Sequence, residues 1–524
     1  MRIAGLAAAA FVVGVALVAL WGLVRAGEGL DPAVLASPYL RGIVRFSLMQ
    51  AGLSTALSLL LGAAIALALL RRRAFPGRAA LLGLLATATV LPAVVVVFAV
   101  VAVYGRSGWL GSGLRALGLD AGSWLYGLPG ILIAHVFLNA PFCARVFLRA
   151  LEAQPPESWR LASHLGLTPT ATFRCLDAPV LARETPALAT LVFLLCFTSF
   201  AVVLALGGGP DRATLEVAIY EALRLDADFG RAALLSALQL AIGGILAAAF
   251  VLASRRGGET GGANRHALRP DRASRPLLAM DCVVLALALA FLAPPLASIL
   301  AGVAAVASLL QADVVRAAGT SIAIAAAAAA TAVGLAVALA LPARDLRTRL
   351  RRPRPPRLNA RVACAPLAQP PHTRVAGGYV VLRGHVDAAT MGVPMVVLVN
   401  ALMALPFAMR LLEPPLALSQ ERYGRLADSL GIDGLDRLRL VDWPLLRGPL
   451  FGALATSAAL SMGDLGVIAF FGGADLTTLP LLLYQRLGAY RMEEAAAVAM
   501  LLAGVVFALA LIAQTGSDAD ARAA

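Results

Sequence analysis

Apolar runs of about twenty residues recur along this chain, the length that crosses about 30 Å of hydrocarbon as a helix. They lie near 3–24, 46–70, 80–104, 128–150, 186–206 and 232–254, and again near 277–301, 317–342, 393–412, 448–471 and 493–513. In lipid every backbone N–H and C=O must be satisfied within the protein. The runs also lack the alternation of barrel strands, so they are predicted to be helices. Composition agrees: 60% of the 524 residues are hydrophobic and only 14% charged, against about 25% charged in soluble domains. The run behind Met1-Arg2 is longer than the roughly 7–15 residues of a signal-peptide core, so it reads as a first span.

The charged minority orients the spans. Net charge is +14, and all 44 basic residues are arginine, with no lysine. Schiff-base chemistry is thereby excluded, as is a P-loop, which needs its lysine for the phosphates. Any use of ATP therefore requires another chain. Arg71, Arg72, Arg73 and Arg78 follow the second span, and Arg145, Arg149, Arg160, Arg174 and Arg183 flank the fourth. Arg255, Arg256, Arg265, Arg269, Arg272 and Arg275 follow the sixth. Alternating spans put these three loops on one side, and the positive-inside rule makes that side cytoplasmic rather than a nucleic-acid surface. Asp211, Glu216, Glu221, Asp226 and Asp228 fall on the other side. Residues 255–276, rich in Gly and Arg, read as a flexible cytoplasmic linker. Five scattered cysteines (143, 175, 196, 282 and 364) form no C-x-x-C pair, so neither a metal site nor a disulfide framework is expected.

The two halves repeat. Pro141-Phe142-x-x-Arg145 recurs at Pro406-Phe407-x-x-Arg410, and Leu161-Ala162-x-x-Leu165-Gly166 at Leu426-Ala427-x-x-Leu430-Gly431. Asp177-x-Pro179 recurs at Asp442-x-Pro444 and Gly207-Gly208 at Gly472-Gly473, all shifted by 265 residues (141 to 406). Tyr220 meets Tyr484 after a one-residue gap. Matches in a single register mark a duplicated architecture. Both halves begin and end inside, so the repeats are parallel, not inverted. The expected domains are 1–254 and 277–524.

One stretch, 343–390, breaks the pattern. The third span should recur near 345–369, yet nine arginines lie between Arg344 and Arg374, each costing about 2.5–3.5 kcal/mol at a helix centre. No span is expected there. A genuine insertion with a distorted span near 375–390 and a local slip of the reading frame both fit this composition, and the slip leaves open whether this copy is active.

The most distinctive local feature follows the fourth span and its copy. Arg160-Leu161-Ala162-x-x-Leu165-Gly166 leads to Phe173 and Asp177-x-Pro179, and Arg425-Leu426-Ala427-x-x-Leu430-Gly431 leads to Leu438 and Asp442-x-Pro444. Each reads as a short helix ended by glycine, then a second short helix closed before proline. An ordinary amphipathic surface loop or a docking helix for a partner fits this pattern. Two polar positions, His135 and Asn400, match at the same shift and suit either interhelical hydrogen bonds or a translocation path. Asp464, inside a span, is either paired or lines a path. Gly207 to Gly209 and Gly472-Gly473 fit helix ends or close packing as well as a gate.

These segments resemble the EAA loop of ABC importer permeases, E-A-A-x-x-L-G followed by a hydrophobic position and L-P. Ala162, Leu165, Gly166, Phe173 and Pro179 carry the match, with Ala427, Leu430, Gly431 and Pro444 in the copy. Arg160 and Arg425 stand where the pattern has glutamate, a departure that touches the usual polar contacts to the ATPase. The stretch Phe197-Thr198-Ser199-Phe200-Ala201-Val202-Val203, with Thr214-Leu215-Glu216-Val217-Ala218-Ile219-Tyr220, is similar to the first half of thiamine importer permeases. Met462-Gly463-Asp464-Leu465-Gly466 and Thr478-Leu479-Pro480 to Tyr484-Gln485 are similar to the second half. The resemblance implies an all-α polytopic membrane protein of two tandem six-helix type I permease domains, with about 11–12 spans.

It further implies an ATP-driven importer subunit in a bacterial inner membrane, carrying thiamine or its phosphates. The implied partners are two copies of a cytoplasmic ABC ATPase docked on the loops, and a periplasmic binding protein. No cofactor and no catalytic residue are expected in this chain. Ser199, His135, Asn400 and Asp464 become candidates for the path, where a carboxylate suits a thiazolium cation. Iron(III)-type permeases share the tandem fusion. An ion-coupled secondary transporter, the rival class, does not require two EAA loops.

Overall fold

A computed structural model describes residues 2–26, 37–118, 124–209, 212–254, 269, 271, 274–350, 388–432, 434–471 and 476–523. Among them every regular element is helical. The first half runs α1 (Arg2–Ala26), α2 (Pro38–Arg71), α3 (Arg78–Ala88), α4 (Ala93–Tyr104), α5 (Trp109–Ala116) and α6 (Leu128–Glu152). It continues through α7 (Pro156–His164), α8 (Pro169–Thr172), a π turn (Phe173–Asp177), α9 (Ala178–Phe197), α10 (Ala201–Leu206), α11 (Leu215–Arg224) and α12 (Phe229–Ser254). Then come α13 (Arg275–Leu300), a 3₁₀ segment (Ala301–Leu310), α14 (Ala312–Leu350), α15 (Ala388–Ser429) and α16 (Gly434–Arg437). A second π turn (Leu438–Asp442), α17 (Trp443–Met462), α18 (Ile468–Phe471), α19 (Leu479–Gly488) and α20 (Met492–Ala523) complete it.

Ten helical stretches among the described residues are long and apolar enough to cross a bilayer, and Gly5–Ala19 is a shorter apolar helix. The chain is thus an all-α multi-pass membrane protein. Three predicted spans are not continuous. The run at 80–104 divides into α3 and α4 at Pro92, whose ring disfavours helix in the residue before it. The run at 448–471 divides into α17 and α18, where Asp464 accepts the N–H groups of Gly466 and Val467 at 3.1 and 3.2 Å. That side chain satisfies backbone donors in a non-helical turn. The run at 186–206 divides between Phe197 and Ala201. Residues 351–387 lie outside the described residues, and with them most of the anomalous stretch and the choice between insertion and frame slip. Gly472 and Gly473 also lie outside.

The helices form two compact units, each drawing on both chain halves. One comprises Leu35–Thr214 and Gly244–Ala301. Its centre is α2 packed on α6 and α9. Gly62 permits the α2–α6 approach, because a Cβ there would lie 2.5 Å from Cys143 Cβ and 2.9 Å from the Ala144 nitrogen. Helices in lipid associate through such small-residue contacts. At the end of α2, Asp281 of α13 is fully buried and receives Arg71 at 2.7 Å and Arg72 at 2.9 Å. Removing one partner of a buried charge group of this kind costs about 3–5 kcal/mol.

The other unit comprises Met1–Val34, Leu215–Gly243 and Gly302–Ala524. Its core runs along α14, α15 and α17, with Val333, Leu339, Leu402, Leu405, Leu412 and Leu446 buried, and Ala8 and Val12 of α1 packed into the same cluster. An alanine seam, Ala328 and Ala332 against Ala401 and Ala404, lets α14 and α15 approach closely. Gly302 sits against the Ala496 carbonyl, where any Cβ would collide. Arg486 of α19 is buried and bonds Gln311 and Asp313, each at 2.8 Å.

Candidate functional site

Both EAA-like segments fold into the same local structure. In the first, α7 ends at His164 and Gly166 adopts φ +60°. The Leu167 N–H reaches the Ala162 carbonyl at 3.0 Å, and the Gly166 N–H reaches the Ser163 carbonyl at 3.1 Å. In the second, Gly431 has φ +68°, with Ile432 bonded to Ala427 at 2.9 Å and Gly431 to Asp428 at 3.3 Å. This is the Schellman closure that a left-handed residue allows, and glycine takes it without a Cβ penalty. The π turns Phe173–Asp177 and Leu438–Asp442, and the helices Ala178–Phe197 and Trp443–Met462, start and stop 265 residues apart (173 to 438).

The surface is repeated as well. Ala162 and Ala427 face inward, each 2% exposed. Leu161 and Leu165 are 60% and 65% exposed, and Leu426 and Leu430 are 56% and 64% exposed. Arg160 and Arg425 are exposed too. Each loop therefore offers two leucines one turn apart, beside an arginine, on a helix end fixed by a glycine closure.

The supports beneath these surfaces differ. In the first copy Pro155-Pro156 separate α6 from α7, since a proline ring cannot continue the preceding helix. In the second copy these positions are Gln420 and Glu421, and α15 runs unbroken from Ala388 to Ser429. The expectation of a separate short helix therefore holds for the first copy only; in the second the EAA-like segment is the end of a long helix.

Asp177 and Asp442 are both fully buried. Asp442 accepts the Ser419 hydroxyl at 2.8 Å. Asp177 receives both terminal nitrogens of Arg269, at 3.1 and 2.8 Å. Arg269 also donates twice to Asp271, at 2.9 Å each, and its guanidinium lies 4.2 Å from the Trp159 ring centre. Burial pulls the Arg269 pKa down, but the hydrogen bonds and charges of Asp271 and Asp177 outweigh it and raise it. Arg269 and Asp271, read from sequence as parts of a flexible linker, are 8% and 3% exposed.

The candidate path residues fall as follows. His135 is buried in α6, its Nδ1 3.1 Å from the Ser54 hydroxyl and its Nε2 without a hydrogen-bond partner. Ser54 belongs to a polar stripe on α2, with Ser47, Gln50 and Ser58 all buried at helical spacing. Asn400 is buried in α15 and donates to Ser461 at 2.9 Å. Asn400 and Asp464 line one cavity, together with Ser321, Ser461 and Thr478. The Asn400 Oδ1 and Thr478 Oγ1 are buried there without a hydrogen-bond partner. Ser199 sits in the break after α9, partly exposed. Sequence reading missed Arg269, the α2 stripe and Ser461. The stripe is visible as polar residues three or four apart within an apolar run, and Ser461 occupies the position of Cys196 at the 265 shift.

No protein-family model matches the chain. Full-length relatives do. The thiamine transport system permease protein ThiP of Brucella melitensis is 40% identical over 517 residues, covering 97% of this chain and 93% of the relative. ThiP of Escherichia coli is 40% identical over 521 residues, covering 97% and 95%. ThiP of Haemophilus influenzae is 36% identical over 490 residues, covering 92% and 90%. The sulfate transport system permease protein CysW of Synechococcus elongatus is 31% identical over 154 residues, 29% of this chain and 52% of that relative. With identity at this level along nearly the whole length of each ThiP protein, the chain belongs to the thiamine transport system permease family.

Proposed function

We propose that this chain is the permease subunit of an ATP-driven importer that carries thiamine or its phosphates inward across the bacterial inner membrane. Two copies of a cytoplasmic ABC ATPase dock on the two loops, one at Leu161 and Leu165 and one at Leu426 and Leu430. A periplasmic binding protein delivers the substrate. The chain is read as two tandem permease domains, 1–254 and 277–524, joined by 255–276. The single observation that supports this most strongly is the repeated docking surface: two exposed leucines beside a buried alanine, closed by a left-handed glycine, in both halves. Exposed leucines on a charged face mark a place for a partner protein. Repeating the surface matches a partner that acts as a pair.

The chain's own chemistry is positional. Closure of the ATPase pair presses on α7 and on the end of α15, and these elements carry the force through the π turns into α9 and α17. Asn400 and Asp464, with His135 and Ser199, are proposed contacts along the path. A partly exposed carboxylate favours an organic cation such as thiazolium, and the Asn400 Oδ1 is free to accept a hydrogen bond from the substrate.

Thiamine uptake into proteoliposomes tests this reading. With the binding protein, the ATPase and ATP, labelled thiamine accumulates; omitting the ATPase or ATP abolishes it. Accumulation driven by an ion gradient without the ATPase contradicts the reading and points to a secondary transporter. ATP-dependent uptake of iron(III) but not thiamine contradicts the substrate alone.

A further inference from the structure

The two docking loops solve one problem differently. Each holds a buried aspartate at the end of its π turn, and each is supported by a buried arginine. In the second loop that arginine is local: Arg437, at the end of α16, is 6% exposed and bonds Gln420 and Asp428. The same position in the first loop is Thr172, which is buried and carries no charge. The first loop's cation is Arg269, 92 residues further along the chain than Asp177. The stacking partner differs in step. Trp159, buried over Arg269, corresponds to Gly424, where a Cβ would lie 2.6 Å from the amide nitrogen of Gln420, the residue whose side-chain oxygen accepts from Arg437.

We propose that the segment between the two repeats is anchored on the first docking loop by Arg269, and that this anchor positions α7 for the ATPase while the second loop positions itself. The proposal rests on the reading that both loops dock an ATPase. Arg269 is a positioning residue, since it is buried against Trp159 of α7 and Asp177 and is not part of the exposed leucine surface. Its planar fork engages Asp177 and Asp271 together while the Trp159 ring covers its face, an arrangement lysine cannot copy. Fusing the halves into one chain thus gives the first loop a contact that two separate permease chains could form only by association.

Site-directed crosslinking in the full complex tests this. In a Cys175→Ser background, His164→Cys reports on the first loop and Ser429→Cys on the second, each crosslinked to the ATPase. Arg269→Ala is expected to lower the first-loop yield at least fivefold and leave the second within twofold of its original value. Arg269→Lys is expected to give an intermediate first-loop loss, again without change at the second. An unchanged first-loop yield in Arg269→Ala overturns the anchor. Equal loss at both loops in both variants also overturns it, because a purely structural residue behaves that way. Absence of crosslinking at either loop before Arg269 is altered is the failure of the docking reading, and the two failures are therefore distinct.

Discussion

The first docking loop is cut from its membrane helix by Pro155-Pro156 and held from a distance by Arg269, whereas the second is the continuous end of α15 and is held by Ser419 and Arg437. Their outer faces are nevertheless alike to within a few per cent of exposure at each leucine. The difference teaches where duplication leaves freedom. The surface proposed to meet a shared partner is the same in both copies. The scaffold beneath can be rebuilt, provided that the buried aspartate and the glycine closure keep their places.

Four sets of substitutions break or sharpen this comparison. The largest effect is expected at Asp177→Ala, which leaves Arg269 buried with half of its anionic partners; the cost is about 3–5 kcal/mol. Its counterpart test, Ser419→Ala, removes one hydrogen bond to Asp442 and costs about 1–3 kcal/mol. Thermal unfolding of the full chain in detergent compares them, and equal losses contradict the unequal supports. Next come Gly166→Val and Gly431→Val. Neither Cβ meets another atom within 4 Å, so the cost is that of the left-handed backbone, about 1–2 kcal/mol each. The two values should agree, and a large gap means that the closures differ in ways their φ angles hide.

Trp159→Leu is smaller again. It removes the ring over Arg269 and leaves the ion pairs, a loss of about 0.5–2 kcal/mol. Smallest in stability are Leu165→Ser and Leu430→Ser. Both leucines are mostly exposed, so unfolding should move by no more than about 0.5 kcal/mol. Binding of the ATPase, followed by co-purification, should fall for both. A stability loss at either position without weaker binding assigns that leucine to the fold, not to docking.

Much of this was legible in the chain itself. Hydropathy located the long helices, and the 265-residue register located both loops, because a docking surface depends on residue types at fixed local spacing. Breaks within spans were not legible in that way. Hydropathy sums side chains and is blind to a backbone turn such as the one Asp464 caps between α17 and α18. The pairing of Arg269 with Asp177 was hidden for another reason. Nothing local distinguishes that arginine from its neighbours in a Gly- and Arg-rich segment, and its partner lies 92 residues away. The continuity of α15 was readable in principle, since Gln420 and Glu421 stand where the first copy has its two prolines. Pro414 and Pro415 obscured it, because both are accommodated inside the helix.

The most direct test is to count ATPase subunits on the purified permease by native mass spectrometry. The unaltered chain should carry two copies. Leu161→Asp with Leu165→Asp, or Leu426→Asp with Leu430→Asp, should leave no more than one, and all four changes together should leave none. Two copies still bound to the fourfold variant would contradict the assignment of these loops as the docking sites.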